Sequence, residues 1–176
     1  MATTIRVVQG DITARAVDAI VNAANRSLLG GGGVDGAIHR KAGPELLKEC
    51  KTLGGCETGQ AKITGAYGIW QVKKIIHTVG PIYGREDGRE DALLASCYGE
   101  SLRLAAENGC RSVAFPSIST GAYGFPVERA SGIAMRAMKE FVETHPDALD
   151  VIEMTTFSKG DFTVYERAYR EVFEEG

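Results

Sequence analysis

The chain carries no excess of positive charge: 20 Lys and Arg stand against 23 Asp and Glu, a formal net charge of −3. Bulk electrostatics therefore draw in neither nucleic acid nor an anionic membrane, and no basic stripe interleaved with aromatics offers a local exception. No apolar run approaches the length of a membrane span, and the opening Met1-Ala-Thr-Thr-Ile-Arg6 lacks the pattern of a signal peptide. Cys50, Cys56, Cys97 and Cys110 form no C-x-x-C pair and no Cys/His grouping, which weighs against zinc and against a disulfide framework. Reduced thiols in a cytoplasmic protein are expected. Internal repeats, linkers and low-complexity stretches are missing too, so residues 1–176 read as one domain. With 44% apolar residues, that length is enough for a full core.

What is present alternates between two periods. Short apolar runs at Ile5–Val8, Ala19–Ala23, Gln60–Ile69, Lys74–Pro81, Ser112–Ile118 and Val151–Thr156 read as strands. Helical spacing appears from Val34 to Thr52, broken at Gly43-Pro44, and from Glu90 to Asn108, where Gly109 supplies a stop. Val127–Glu143 places Val127, Ala130, Ala134, Met138 and Phe141 on one face, and Tyr165, Ala168, Tyr169 and Val172 mark a closing helix. Strands alternating with helices argue for an α/β fold covered on both faces. The early strands have little helix between them, so a mixed sheet is expected.

In open α/β sheets, ligands gather beyond the carboxyl ends of strands, and four such ends carry unusual chemistry. Gly30 to Gly33 are consecutive glycines, bracketed by Asn25 and by Asp35 at a helix start. Bare backbone there can approach a ligand closely, and the helix start aims free N–H groups and a positive dipole end at the same space, which suits phosphate. Asn25 alone would read as a turn former and Asp35 alone as a capping charge. Their bracketing of four glycines favours a site. Gly31, Gly33 and Gly36 formally match G-x-G-x-x-G, but Asn22 to Leu29 intervene after the strand. The acid expected about 20 residues on would be Glu57, placed in a loop. An NAD-linked enzyme on a Rossmann frame is thereby disfavoured, and no Walker lysine follows the glycines.

Asp11, in Gly10-Asp-Ile-Thr13, either accepts the exocyclic amine of adenine or caps a short turn. Ser117-Ile-Ser-Thr-Gly-Ala-Tyr-Gly-Phe-Pro126 is a second glycine-flanked loop after a strand, able to hold a diphosphate from the side opposite the first. Phe157, past the last strand, either stacks on a base or packs at the core edge. His77 lies inside an apolar strand and reads as a core histidine. With His39 and His145, it completes no Ser/His/Asp or Cys/His set.

From about Ile5 onward, the chain resembles the macrodomain family, in its MacroD-type branch that includes bacterial O-acetyl-ADP-ribose deacetylases. The resemblance rests on Gly10-Asp-Ile-Thr13, Val21-Asn-Ala-Ala-Asn25, Gly30-Gly-Gly-Gly-Val-Asp-Gly-Ala-Ile-His39, His77-Thr-Val-Gly-Pro81 and Ser119-Thr-Gly-Ala-Tyr-Gly-Phe-Pro126. It implies a three-layer α/β/α fold with a cleft for ADP-ribose. Asp11 and the Ile12 backbone would hold adenine, with Phe157 stacking on it. Gly31, Gly32, Gly33 and Val34 would clasp the diphosphate together with Ser119, Thr120, Gly121, Ala122 and Tyr123. Asn25 and Asp35 would meet the distal ribose as the catalytic pair, with Asn22 among the binding residues. The family often places an acid directly after the aromatic, whereas Phe157 is followed here by Ser158-Lys159-Gly160-Asp161. The implied reaction removes acetyl from O-acetyl-ADP-ribose, or mono-ADP-ribose from acidic side chains of proteins, with neither metal nor redox cofactor. The alternative is a non-catalytic reader of ADP-ribosylated protein using the same cleft.

Overall fold

The computed structural model describes residues 2–174. Its strands are β1 (Thr4–Gln9), β2 (Ala19–Ala24), β3 (Ala61–Gly65), β4 (Lys74–Val79), β5 (Ser112–Phe115) and β6 (Val151–Thr156). They lie in the order β1-β6-β5-β2-β4-β3. Every neighbouring pair is parallel except β3 against β4. The exception follows from chain length: residues 66–73 form a turn, whereas a parallel return needs a crossover of a dozen or more residues.

The two-residue alternation of the central strands feeds two separate cores. Ile20, Ile75 and Ala114 face one side with Ile38, Ala42, Leu46 and Cys50, contributed by helices α1 (Gly33–Ala42) and α2 (Pro44–Lys51). Val21, Ile76, Val113 and Phe115 face the other. There they meet α3 (Glu90–Glu107), α4 (Val127–Thr144) and α5 (Lys159–Tyr169), whose Leu102, Met138 and Tyr165 are buried in the same core. The architecture is three layers, α/β/α, around a mixed six-stranded sheet.

Element ends follow local chemistry. Gly43, at φ +89°, closes α1, and Pro44 opens α2 at a position where a missing N–H costs nothing. Ser158 Oγ accepts from the Asp161 N–H at 3.1 Å and caps α5. Three strands are shorter than the apolar runs suggest. β5 stops at Phe115 instead of reaching Ile118, because Pro116 has no ladder donor. β4 stops at Val79, ahead of Gly80-Pro81. β3 stops at Gly65 instead of Ile69, where Tyr67 turns at φ +48°. The closing helix ends at Tyr169, and Val172 sits in a π turn, Arg170–Glu174.

All four cysteines are buried and unbridged. Among the described residues, no helix is long and apolar enough to cross a membrane, and no group of three His, Cys, Asp or Glu is placed to hold a metal ion.

Candidate functional site

The carboxyl ends of β1, β2, β4, β5 and β6 open onto one edge of the sheet, and a cleft of about 780 Å³ lies along it. That volume falls within the range of small-molecule sites. The expected site residues converge there from four separate loops. Asp11, Ile12, Asn25, Gly31, Gly32, Gly33, Val34, Asp35, Ser119, Thr120, Gly121, Ala122, Tyr123 and Phe157 all line the cleft. Asn22 does not. It is fully buried behind the wall.

The glycine loop enters α1 through Gly33 at φ +57°, a left-handed backbone that a side chain would strain. Gly36, one turn into the helix, passes so close that a Cβ on it would sit 2.6 Å from the Gly31 carbonyl oxygen. The loop therefore folds back over its own helix, with its amides on the cleft side. Among the described residues, the N–H groups of Gly31, Gly32, Gly33 and Val34 donate to no other protein group. Free donors at a helix start form an anion site.

The facing loop is pinned at both ends. Phe125 N–H donates to the Ser119 carbonyl at 2.9 Å and Gly124 N–H to that of Gly121 at 3.0 Å. Tyr83 N–H donates to the Tyr123 carbonyl at 2.9 Å. Ser119 itself turns at φ +67°, and its buried Oγ has no hydrogen-bond partner among the described residues. A Cβ on Gly80, at the end of β4, would meet that Oγ at 2.1 Å, so the two loops touch only because Gly80 is bare.

Asp35 lies in the first turn of α1 and is buried, with 4% of its surface exposed. Its two oxygens face different ways. Oδ1 accepts from Asn22 Nδ2 at 2.8 Å and has His39 Nε2 at 3.4 Å, an i,i+4 neighbour held too obliquely to count as a hydrogen bond. Oδ2 lies toward the glycine loop, 3.1 Å from where a Gly31 Cβ would be. A carboxylate in this turn is favoured by the helix dipole. Asn25 is committed to its own loop. Its Oδ1 accepts from Ser27 Oγ at 2.7 Å and Leu28 N–H at 3.2 Å, while Nδ2 donates to the Gly30 carbonyl at 2.9 Å. The turn-forming role set against Asn25 in the sequence is thus present in full. One proton on Nδ2, whose nitrogen lies 3.4 Å from the Gly31 Cβ position, is all it has left for a ligand.

At the far end, Asp11 is both a cap and a wall of the cleft. Its Oδ1 accepts from the Thr13 hydroxyl at 2.7 Å and the Thr13 N–H at 2.9 Å, closing the 3-10 turn Ile12–Ala14. The Thr13 hydroxyl, more than any other neighbour, holds the Asp11 carboxyl below its ordinary range. The Ile12 side chain is in the core, while its N–H donates to no other group among the described residues. Phe157 is 86% exposed and so is not a core-edge residue. Asp161, from the first turn of α5, also lines the cleft, as do Thr155 and Thr156 of β6. The sequence gives these three no mark beyond a strand end and a helix start.

The Macro domain family matches the chain over residues 21–134. A Xenopus laevis protein named ADP-ribose glycohydrolase MACROD2 is 55% identical over 166 residues. The match covers 94% of this chain but only 40% of that longer protein. The solved Oceanobacillus iheyensis macrodomain with ADP superposes with a TM-score of 0.92 at 40% identity, covering 97% of this chain and 92% of that one. The Trypanosoma brucei macrodomain in complex with ADP-ribose gives a TM-score of 0.87 at 44% identity, covering 93% and 68%.

Proposed function

The chain belongs to the Macro domain family, and on that premise we propose that it binds ADP-ribose in the cleft and hydrolyses esters carried on the distal ribose. The observation that carries this reading is the pairing of unsatisfied main-chain donors at Gly31–Val34 with a buried carboxylate whose free oxygen lies beside them. The relatives support it: one is named for glycohydrolase activity, and two solved macrodomains hold ADP or ADP-ribose.

In this reading the adenine sits between Asp11, the Ile12 N–H and the exposed ring of Phe157. The diphosphate lies between the glycine loop and Ser119–Tyr123, its charge met by amides in place of lysines. The distal ribose then reaches Asn25 and Asp35. Asn25 donates its remaining Nδ2 proton to a ribose hydroxyl. Asp35 Oδ2 accepts a hydrogen bond from a water and helps remove its proton as the water oxygen bonds to the ester's acyl carbon. The bond from that carbon to the ribose oxygen breaks, and the proton passes to the departing ribose oxygen, with a substrate phosphate oxygen available to carry it. Both O-acetyl-ADP-ribose and ADP-ribose on an acidic side chain of a protein present such an ester, so both are substrates in this proposal. A positioned base contributes on the order of 10²–10⁴ in rate. Purified Asp35→Ala is expected to lose turnover of both esters by about that factor while still binding ADP-ribose in calorimetry. Wild-type protein that binds ADP-ribose tightly but releases neither acetate nor ADP-ribose is a reader, and the catalytic proposal then fails.

A further inference from the structure

Behind the cleft, a row of buried polar side chains runs through the sheet. Sheet register places Asn22 of β2 directly opposite His77 of β4, so their side chains share a face. Asn22 Nδ2 is 2.8 Å from Asp35 Oδ1 and 3.1 Å from His77 Nδ1. On the far side of the ring, His77 Nε2 is 2.9 Å from Thr64 Oγ1 of β3. Asn22, His77 and Thr64 are all nearly or fully buried.

Proton counting leaves one consistent arrangement. An amide nitrogen has two hydrogens and no acceptor. With one directed at Asp35 Oδ1, the other goes to His77 Nδ1, which must then be the unprotonated nitrogen. Thr64 has a single hydroxyl proton, and it is donated to the Gly65 carbonyl at 3.0 Å. Toward His77 it can only accept, so Nε2 must carry the ring proton. Two neighbours on opposite edges thus demand the same neutral tautomer. Rotating the Asn22 amide by half a turn would set its oxygen against the Asp35 carboxylate, and the Nδ1–H tautomer able to donate to that oxygen would leave a bare Nε2 facing the Thr64 oxygen.

We propose that His77, held as the neutral Nε2–H tautomer, is a positioning residue: it fixes the Asn22 amide, which pins Asp35 Oδ1 and leaves Oδ2 as the oxygen presented to the cleft. The remaining groups near His77, which are His39, Glu49 and Cys50, do not upset this state. Burial, with His39 nearby, pushes the ring's pKa down to about 4. Burial also pushes the Cys50 thiol, 4.0 Å from Nε2, up to about 11, so both are uncharged at neutral pH. Among the described residues the ring's hydrogen-bond neighbours are Asn22, Thr64 and Cys50, and of these Asn22 alone bonds a cleft-lining side chain, that of Asp35. Loss of His77 should therefore act on the carboxylate and leave ligand binding alone.

This inference rests on the reading of Asp35 as the group that handles the water, and its test has an arm independent of that reading. Long-range ¹H–¹⁵N correlation spectra of the wild-type imidazoles at pH 7 should show His77 with Nε2 protonated and Nδ1 bare. An Nδ1–H ring or an imidazolium overturns the proposal without any assay of turnover. In kinetics, His77→Leu should lower kcat tenfold to a hundredfold, the scale of a misplaced catalytic group, with KM and ADP-ribose affinity unchanged. His77→Asn, which returns an acceptor oxygen near the Nδ1 position, should recover most of that loss. Equal loss in both variants, or wild-type kcat in His77→Leu beside an inactive Asp35→Ala, overturns the relay while leaving the proposed function standing. If His77→Leu does not fold, Asn22→Ala carries the same expectation of lower kcat at unchanged KM, and an unchanged kcat there counts equally against it. An active Asp35→Ala instead contradicts the proposed function itself.

Discussion

Asn25 Nδ2 donates to the Gly30 carbonyl at 2.9 Å, so the side chain expected to meet the substrate also builds the loop that holds it. Two further bonds, from Ser27 and Leu28 to its Oδ1, complete that loop. Asn25→Ala should therefore raise KM as well as lower kcat, and cost about 1–3 kcal/mol of stability for the bonds lost. Asp35→Ala should lower kcat alone. Steady-state kinetics alongside urea melts separate the two patterns. An Asn25→Ala variant with unchanged KM and stability would show that the loop stands without it.

Asp11 caps the 3-10 turn and, in the proposed function, meets adenine; different substitutions divide the two. Asp11→Ala removes both the cap on the 3-10 turn and the carboxylate at the adenine end, whereas Asp11→Ser keeps a capping oxygen. The cap is worth about 1 kcal/mol, so thermal melting should fall for Asp11→Ala and return toward wild type for Asp11→Ser. A hydrogen bond to a charged group is worth about 1.5–3 kcal/mol, so ADP-ribose affinity should fall roughly tenfold to a hundredfold in both. Calorimetry showing unchanged affinity for Asp11→Ser would remove the carboxylate from the adenine site.

Gly36 sets how closely the glycine loop lies over α1. Its absent Cβ leaves 2.6 Å to the Gly31 carbonyl oxygen, backbone that cannot swing aside as a side chain could. Gly36→Ala should lift the glycine loop off α1, weakening ADP-ribose at least tenfold as the amides lose their aim. Because Ala suits a helix interior better than Gly, the helix itself should survive. Unchanged ligand affinity, measured by calorimetry on a folded variant, would show that the loop's height above the helix does not matter.

The parts of this site legible in the sequence are those built from backbone. Four glycines ahead of a helix and a second glycine-flanked loop mark places where amides must be bare, and the cleft contains both. The direction of a strand side chain is harder to read, because it depends on register with strands far away in sequence. Asn22 and Asn25 lie three apart in one motif, yet Asn22 faces His77 inside the sheet while Asn25 folds a loop. Likewise, His39 lies one helical turn from Asp35, a spacing that marks a neighbour on any helix face, but only the structure shows its ring edge at the carboxylate. Asp161 and Thr155 reach the cleft because β6 sits between β1 and β5, an order no local pattern encodes.

Acid should reveal the buried histidine before it affects the carboxylates. His77 titrates at about 4 in the fold against an ordinary value of 6.5. Between those values the unfolded chain binds a proton that the folded protein refuses, so stability falls as pH drops through that window. The titratable groups around the ring are His39 from α1 and Glu49 and Cys50 from α2, with Asp35 of α1 joined to it through Asn22. The carboxyls held low, Asp11, Glu49, Glu90, Asp91, Asp150 and Glu153, lose their contribution only at lower pH still. Melting temperature should fall from pH 7 to pH 5 in the wild type, and less steeply in His77→Asn. Parallel slopes in the two proteins would place the histidine's proton elsewhere.

In the proposed function, bare main-chain amides from two neighbouring strand-end loops cradle the diphosphate and so deliver the distal ribose to Asp35. Titrating ¹⁵N-labelled protein with ADP-ribose and following the backbone amides tests it most directly. The largest shifts should fall on Gly31–Val34 and on Ser119–Tyr123 together, saturating with one affinity. Saturable binding that leaves either stretch unmoved would contradict the cradle and, with it, the placement of the ester beside the carboxylate.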